Sequence, residues 1–187
     1  MKSKLLLSIL VAVGTLRVAV VPVVAADALT LSNPGFENQL TDWDSQEDNG
    51  MSKVIAEAAH AGKFGLRVTD DSDTAGSSVI SRRIPVTEGK TYQVQFFARV
   101  LSGEGIGVYL RFLKADGKPI VLTSDEEKTA DQKPVVQVDK NQLSWLQFTG
   151  KKTAPNEAAT AVIFIHSYSK HKVTADFDDF AVAEVAK

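Results

Sequence analysis

The stretch Tyr92-Gln93-Val94-Gln95-Phe96-Phe97-Ala98-Arg99-Val100 sets the strongest limit on the fold. Tyr92, Val94, Phe96, Ala98 and Val100 recur every second residue, which is the period of a strand with one buried face and incompatible with the 3.6-residue period of a helix. Val108-Tyr109-Leu110-Arg111-Phe112 repeats the pattern. Elsewhere apolar residues alternate in short runs punctuated by Gly, Pro, Asn and Asp, and no long helical pattern interrupts them. Strands are expected over 29–31, 53–56, 65–68, 77–84, 91–101, 107–113, 120–123, 145–152, 160–167 and 173–183. Asp116-Gly117 between apolar runs signals a hairpin. The polar stretch 124–142 reads as a long excursion with a short edge strand at 135–138. Together these predict an all-β protein, a two-sheet antiparallel β-sandwich of jelly-roll type.

Alternation also sorts the side chains. The face opposite the core carries Gln93, Gln95, Phe97 and Arg99 on one strand and Tyr109 and Arg111 on the next. If the two strands pair across the turn at 102–105, these six share one sheet face. Rings stack on the C–H face of a sugar, and Arg and Gln bond its hydroxyls. Gln95, Phe97, Arg99, Tyr109, Arg111 and, near the last turn, Tyr168 are therefore candidate saccharide contacts, with an ordinary solvated sheet face as the competing reading. Tyr92 belongs to the core by its phase, which leaves Tyr109 and Tyr168 as the expected exposed rings.

Residues 1–26 read as a secretory signal: Lys2 and Lys4 precede an apolar run, and Val24-Ala25-Ala26 supplies small residues before Asp27. Arg17 interrupts the run, and a mid-bilayer Arg costs roughly 2.5–3.5 kcal/mol, which argues against stable membrane insertion after cleavage. Residues 27–187 are then a single domain, secreted to an extracellular or periplasmic space. Without Lys2, Lys4 and Arg17 the balance is 21 − 3 = 18 basic against 23 acidic residues, a poor basis for binding nucleic acid. There is no cysteine, so stability rests on the core or on a metal rather than on disulfides. The oligomeric state is left open.

The stretch Val173–Val182 reads as the closing strand, yet it contains Asp178-Asp179. Neighbouring strand residues point to opposite faces, so one of the pair is expected to turn inward and to need a partner. Glu37, in Asn33-Pro34-Gly35-Phe36-Glu37, stands near the other end of the mature chain. Two inward carboxylates repel unless a cation or hydrogen bonds separate them. A calcium ion joining the termini is the expected solution.

Other candidates are weaker. Asp70-Asp71-Ser72-Asp73 opens like a calcium loop, but the twelfth position from Asp71 is Arg82 and no helices flank it. Gly103-Glu104-Gly105-Ile106-Gly107 leads into a strand, not into a helix that could bind phosphate. His166, Tyr168, Lys170 and His171 fit no strong metal spacing and read as a solvated loop. No Gly-x-Ser-x-Gly or His-Glu-x-x-His motif is present.

Asn33–Glu37, Trp43, Gly65-Leu66-Arg67-Val68, Gly89-Lys90-Thr91-Tyr92, Phe96-Phe97-Ala98-Arg99, Trp145, Ala154-Pro155 and Phe177-Asp178-Asp179-Phe180 follow one order along the chain. In that order the chain resembles CenC-type carbohydrate-binding modules of the galactose-binding-like jelly-roll group. The resemblance implies a structural Ca2+ held by Glu37 and by Asp178 or Asp179, with backbone oxygens around Gly62–Gly65. It also implies core positions for Trp43 and Trp145, and a polysaccharide or oligosaccharide ligand along one sheet face. The expected function is non-catalytic carbohydrate binding. The alternatives are a secreted structural or adhesion sandwich that binds protein and, less favoured, a glycoside hydrolase.

Overall fold

In the longest alternating stretch, β7 (Thr91–Gly103), burial switches on and off at every residue from Thr91 to Val100. The computed structural model describes residues 27–122, 124, 132–138 and 142–186. The expected signal and part of the 124–142 excursion lie outside these residues. Before β7 come β1 (Asp27–Leu29), β2 (Trp43–Asp44), β3 (Ser52–Ile55), β4 (Gly65–Asp70), β5 (Val79–Ser81) and β6 (Ile84–Pro85); after it come β8 (Ile106–Leu113), β9 (Val136–Val138), β10 (Leu146–Thr153), β11 (Thr160–Ser167) and β12 (Val173–Val185). A 3-10 turn spans Ala56–Ala58, and no helix among the described residues is long and apolar enough to cross a membrane.

The strands form two antiparallel sheets. The first runs β10-β7-β12-β4-β3, with β1 also on β12; the second runs β2-β5-β11-β8-β9, with β6 also on β11. Phe96, Phe177, Phe180, Leu66 and Val94 of the first sheet meet Leu110, Ile163, Ile165, Ile106 and Val79 of the second in one apolar core. The expected two-sheet sandwich is thus what the chain forms. The expected strand at 77–84 divides into β5 and β6. The 120–122 part of the strand expected at 120–123 is not a strand, residue 123 being undescribed; the Asp116-Gly117 turn forms, but its return is one bridge from Leu113 to Pro119. The two-residue β2 has too short a pattern to read.

One pairing differs from expectation. β7 does not pair with β8: its neighbours are β10 and β12, while β8 lies between β11 and β9. The link at 102–105 does not close a hairpin. Gly103 and Gly105 hold φ of 74° and 94°, and a Cβ at Gly103 would lie 1.9 Å from the Lys172 carbonyl oxygen. The Glu104 amide donates to the Lys172 carbonyl and the Tyr168 amide to the Gly105 carbonyl. The link is therefore bonded to the β11–β12 turn, and it carries the chain from one sheet to the other. Phe97 and Arg99 consequently face outward from the first sheet, and Tyr109 and Arg111 face outward from the second.

The termini do meet. β1 pairs with the end of β12, and the Phe180 amide donates to the Pro34 carbonyl at 3.0 Å. Phe36, Trp43 and Phe180 pack ring against ring at centroid distances of 4.9 to 6.1 Å. Asn33 and Phe36 hold φ of 49° and 56°, bending the segment so that Phe36 enters the core.

Candidate functional site

On the first sheet's outer face, Asp176 of β12 stands opposite Arg67 of β4 and Arg99 of β7. Asp176 is fully buried. It accepts from Arg67 Nε at 2.7 Å and Nη2 at 2.9 Å, and from Arg99 Nε at 2.8 Å. The hydrogen bond to Asp176 raises the Arg67 pKa. Arg99 also donates to the Glu57 carbonyl and lies 4.8 Å from the centre of the Trp145 ring. His60 stacks on Phe97 at 3.8 Å and meets Trp145 edge-on. Phe97 and Arg99, expected to contact sugar, are thus engaged within the protein. Trp145 is half-buried on this outer face rather than in the core, while Trp43 and Tyr92 are core as expected. Gln95 sits on the same face opposite Thr149 and Ala181, away from Tyr109 and Arg111.

The acidic pair resolves differently from a simple alternation. Between β12 and β7 the register shifts, Asp178 facing Phe97 and Ala181 facing Gln95. This β-bulge takes Asp179, at φ 52°, out of phase. Asp178 stays on the outer face, and Phe180 returns to the core. Neither acid enters the apolar core, contrary to the expectation that one would.

Asp178 is nevertheless fully buried, because residues 60 and 61 cover it. Its Oδ2 accepts from the His60 amide at 2.7 Å and the Ala61 amide at 3.1 Å, and Oδ1 from the Asp179 amide at 2.8 Å. Burial raises its pKa, and these amides offset part of the effect. Asp179 Oδ2 contacts His60 Nδ1 at 2.6 Å. Glu37 Oε1 accepts from the Lys63 and Phe64 amides, which lower its pKa.

The recorded partners of these acids are backbone amides and the His60 ring; the carboxylate oxygens themselves are of the hard kind that calcium prefers. Asp178 Oδ1 and Asp179 Oδ1 lie 3.3 and 3.6 Å from where a Gly35 Cβ would stand. Among the described residues no three His, Asp or Glu side chains group as metal ligands.

The second sheet's outer face carries a groove. Arg111 of β8 pairs with Val162 of β11, and Tyr109 with Phe164. The Arg111 guanidinium lies over both rings, 4.0 Å from the centre of Phe164 and 5.3 Å from that of Tyr109. His166 stacks on Phe164 and bonds the Ser77 carbonyl, so it belongs to this face and not to a solvated loop.

At one end the face is covered. A Cβ at Gly107 would stand 2.7 Å from Tyr168 Oη and 2.8 Å from Pro134 Cβ. Tyr109 is accordingly only 6% exposed, and the Tyr168 hydroxyl is buried. Burial first, then Tyr109, pushes the Tyr168 pKa up. The two rings expected to be exposed are thus largely covered. At the other end a cavity of about 660 Å³ opens, lined by Arg82, Arg83, Arg111, Ile80, Phe164 and Asp44 among others. A second, of about 560 Å³, shares Arg111 and continues past Pro119, Ile120 and Lys152. Arg82, Arg83 and Phe164 escaped the sequence reading. The Arg82-Arg83 dipeptide and the off-core phase of β11 were the signals available.

The two antiparallel sheets form a sandwich of jelly-roll type with a groove on one outer face. The chain belongs to the carbohydrate binding domain family, which matches residues 29–172, in agreement with the resemblance noted from its motifs. Among solved structures it is similar to a Family 16 Carbohydrate Binding Module-2, with 13% identity, a TM-score of 0.59, and coverage of 82% of this chain and 99% of that one. It is also similar to the CBM22-1 xylan-binding domain from Paenibacillus barcinonensis Xyn10C, with 16% identity, a TM-score of 0.55, and coverage of 87% and 99%. A third is TmCBM61, solved in complex with beta-1,4-galactotriose, with 18% identity, a TM-score of 0.51, and coverage of 83% and 97%. These likenesses concern the fold. No curated protein matches the chain.

Proposed function

We propose that the protein is a secreted, non-catalytic domain that binds a polysaccharide or oligosaccharide in the groove on the outer face of its second sheet. The family assignment supports a carbohydrate-binding role. The observation that carries the location is Arg111, held across Phe164 and Tyr109 at the groove, where a guanidinium and apolar walls meet. Such pairing of donors with ring surface suits a sugar. The related xylan-binding domain and the galactotriose complex support a saccharide ligand. Native gels cast with soluble polysaccharides test the reading: retardation by at least one polymer is expected, and unchanged mobility in a broad panel would overturn it.

The second part of the proposal is a structural Ca2+ at the joined termini. Asp178, Asp179 and backbone carbonyls of the segment above them would hold it, with Glu37 orienting that segment through its amides. Its contribution there would be to neutralise two neighbouring carboxylates and tie β12 to residues 35 and 60–64. Protein-protein adhesion is the second reading, favoured by the exposed Leu143 and Leu146 beside and on the edge strand β10. A concentration-dependent oligomer lost on replacing both leucines by serine would support it.

A further inference from the structure

We infer that the ligand is an acidic polysaccharide whose carboxylate groups, as in uronic acid residues, are bound by the arginines of this groove; the inference rests on the carbohydrate-binding reading. The protein as a whole is acidic, with 21 Lys and Arg against 23 Asp and Glu, yet Arg82, Arg83 and Arg111 line one cavity. A guanidinium offers five N–H donors and no acceptor. A neutral sugar presents hydroxyls that both donate and accept, and it is met best by a mixed set. The charged acceptor in the cavity lining is Asp44, whose Oδ1 already accepts from the Gln46 amide at 2.9 Å, against three guanidinium groups. The groove is thus rich in donors, and the complementary ligand is rich in acceptors.

The arginines are also placed rather than scattered. Arg111 is oriented by the Phe164 and Tyr109 rings. Arg83 lies against the 114–118 turn: a Cβ at Gly117 would stand 1.9 Å from Arg83 Nη2, and Gly117 holds φ of 84°. Glycine at that position leaves room for the guanidinium. Arg82 pairs with Asp42 at 3.1 Å while remaining largely exposed. The planar guanidinium fork matches a carboxylate in two parallel hydrogen bonds, which favours carboxylates over hydroxyls. Lys152 in the adjoining cavity extends the positive lining along the path of a chain.

The test uses the full secreted chain in native affinity gels with three uronic-acid polymers of different linkage, their carboxyl-reduced counterparts, and neutral xylan and β-glucan. Retardation by a uronic-acid polymer is expected. It should be lost with the carboxyl-reduced form and weakened by added salt. Arg83→Gln should weaken binding about tenfold, the scale of one charge-assisted hydrogen bond. Equal binding of the reduced polymer, binding of neutral polymers alone, or an unchanged affinity of Arg83→Gln would overturn the acidic assignment and leave carbohydrate binding intact. Retardation by no polymer would overturn the carbohydrate-binding reading, and this inference with it.

Discussion

The guanidinium carbon of Arg111 stands 4.0 Å from the centre of the Phe164 ring. The two residues lie on adjacent strands, Arg111 facing Val162 and Phe164 facing Tyr109. A long, flexible cation is thereby held against ring surface among the residues that line the groove. Orientation set before binding lowers the entropy lost when ligand arrives.

Replacing Phe164 by Leu keeps apolar bulk but removes the ring face. A cation–π contact of this kind contributes about 0.5–2 kcal/mol. Saccharide affinity should fall roughly two- to thirtyfold, and because Phe164 is buried the melting temperature should fall as well. Isothermal titration and thermal unfolding of the same sample read the two effects.

Asp176→Ala should act on stability and not on binding. It removes a fully buried carboxylate and leaves Arg67 and Arg99 without their common partner. Breaking a buried ion pair from one side costs about 3–5 kcal/mol. Urea unfolding should show a loss at the lower end of that range, because both arginines retain some access to water. The saccharide affinity of the folded variant should be unchanged, since the site lies on the other sheet.

The pH dependence of stability isolates Asp178. Its folded pKa is raised by burial, so the folded protein takes up this proton at a higher pH than the unfolded chain. Near neutral pH the charged form opposes folding; the opposition is relieved as pH falls through the folded pKa and is fully relieved below the unfolded value of about 3.9. In chelator, wild type should therefore gain stability relative to Asp178→Asn on acidification. With calcium bound the trend should reverse, because protons compete with metal for the carboxylate. Melting temperatures from pH 7 to 4.5, with and without calcium, provide the comparison.

Glu37→Gln separates charge from geometry. The amide oxygen of Gln can still accept from the Lys63 and Phe64 amides that Glu37 Oε1 now binds. Because Glu37 orients residues 63 and 64 through their amides, the melting-temperature drop that chelator causes in wild type should persist in the variant; loss of that drop would instead assign Glu37 a role through its charge on the ion.

The sandwich was legible because single strands carry their own burial pattern: β7 alone names its core face. Which strands pair was not legible. Nothing in Ser102-Gly103-Glu104-Gly105 distinguishes a hairpin from a link bonded to the β11–β12 turn, and that one difference sent Phe97 and Tyr109 to opposite faces. Asp178-Asp179 signalled an irregularity, but alternation cannot foresee the bulge that resolves it. The groove residues Arg82 and Phe164 come together only through the pairing of β11 with β5 and β8, contacts at long sequence separation that no local pattern encodes.

The most direct test of the account is chemical-shift mapping of the backbone amides during titration with a saccharide that retards the protein. Perturbations should cluster at Ile80, Arg83, Arg111, Val162 and Phe164, leaving Gln95, Phe97, Arg99 and Trp145 unmoved. Perturbations confined to the latter group, on the first sheet's outer face, would contradict a binding groove on the second.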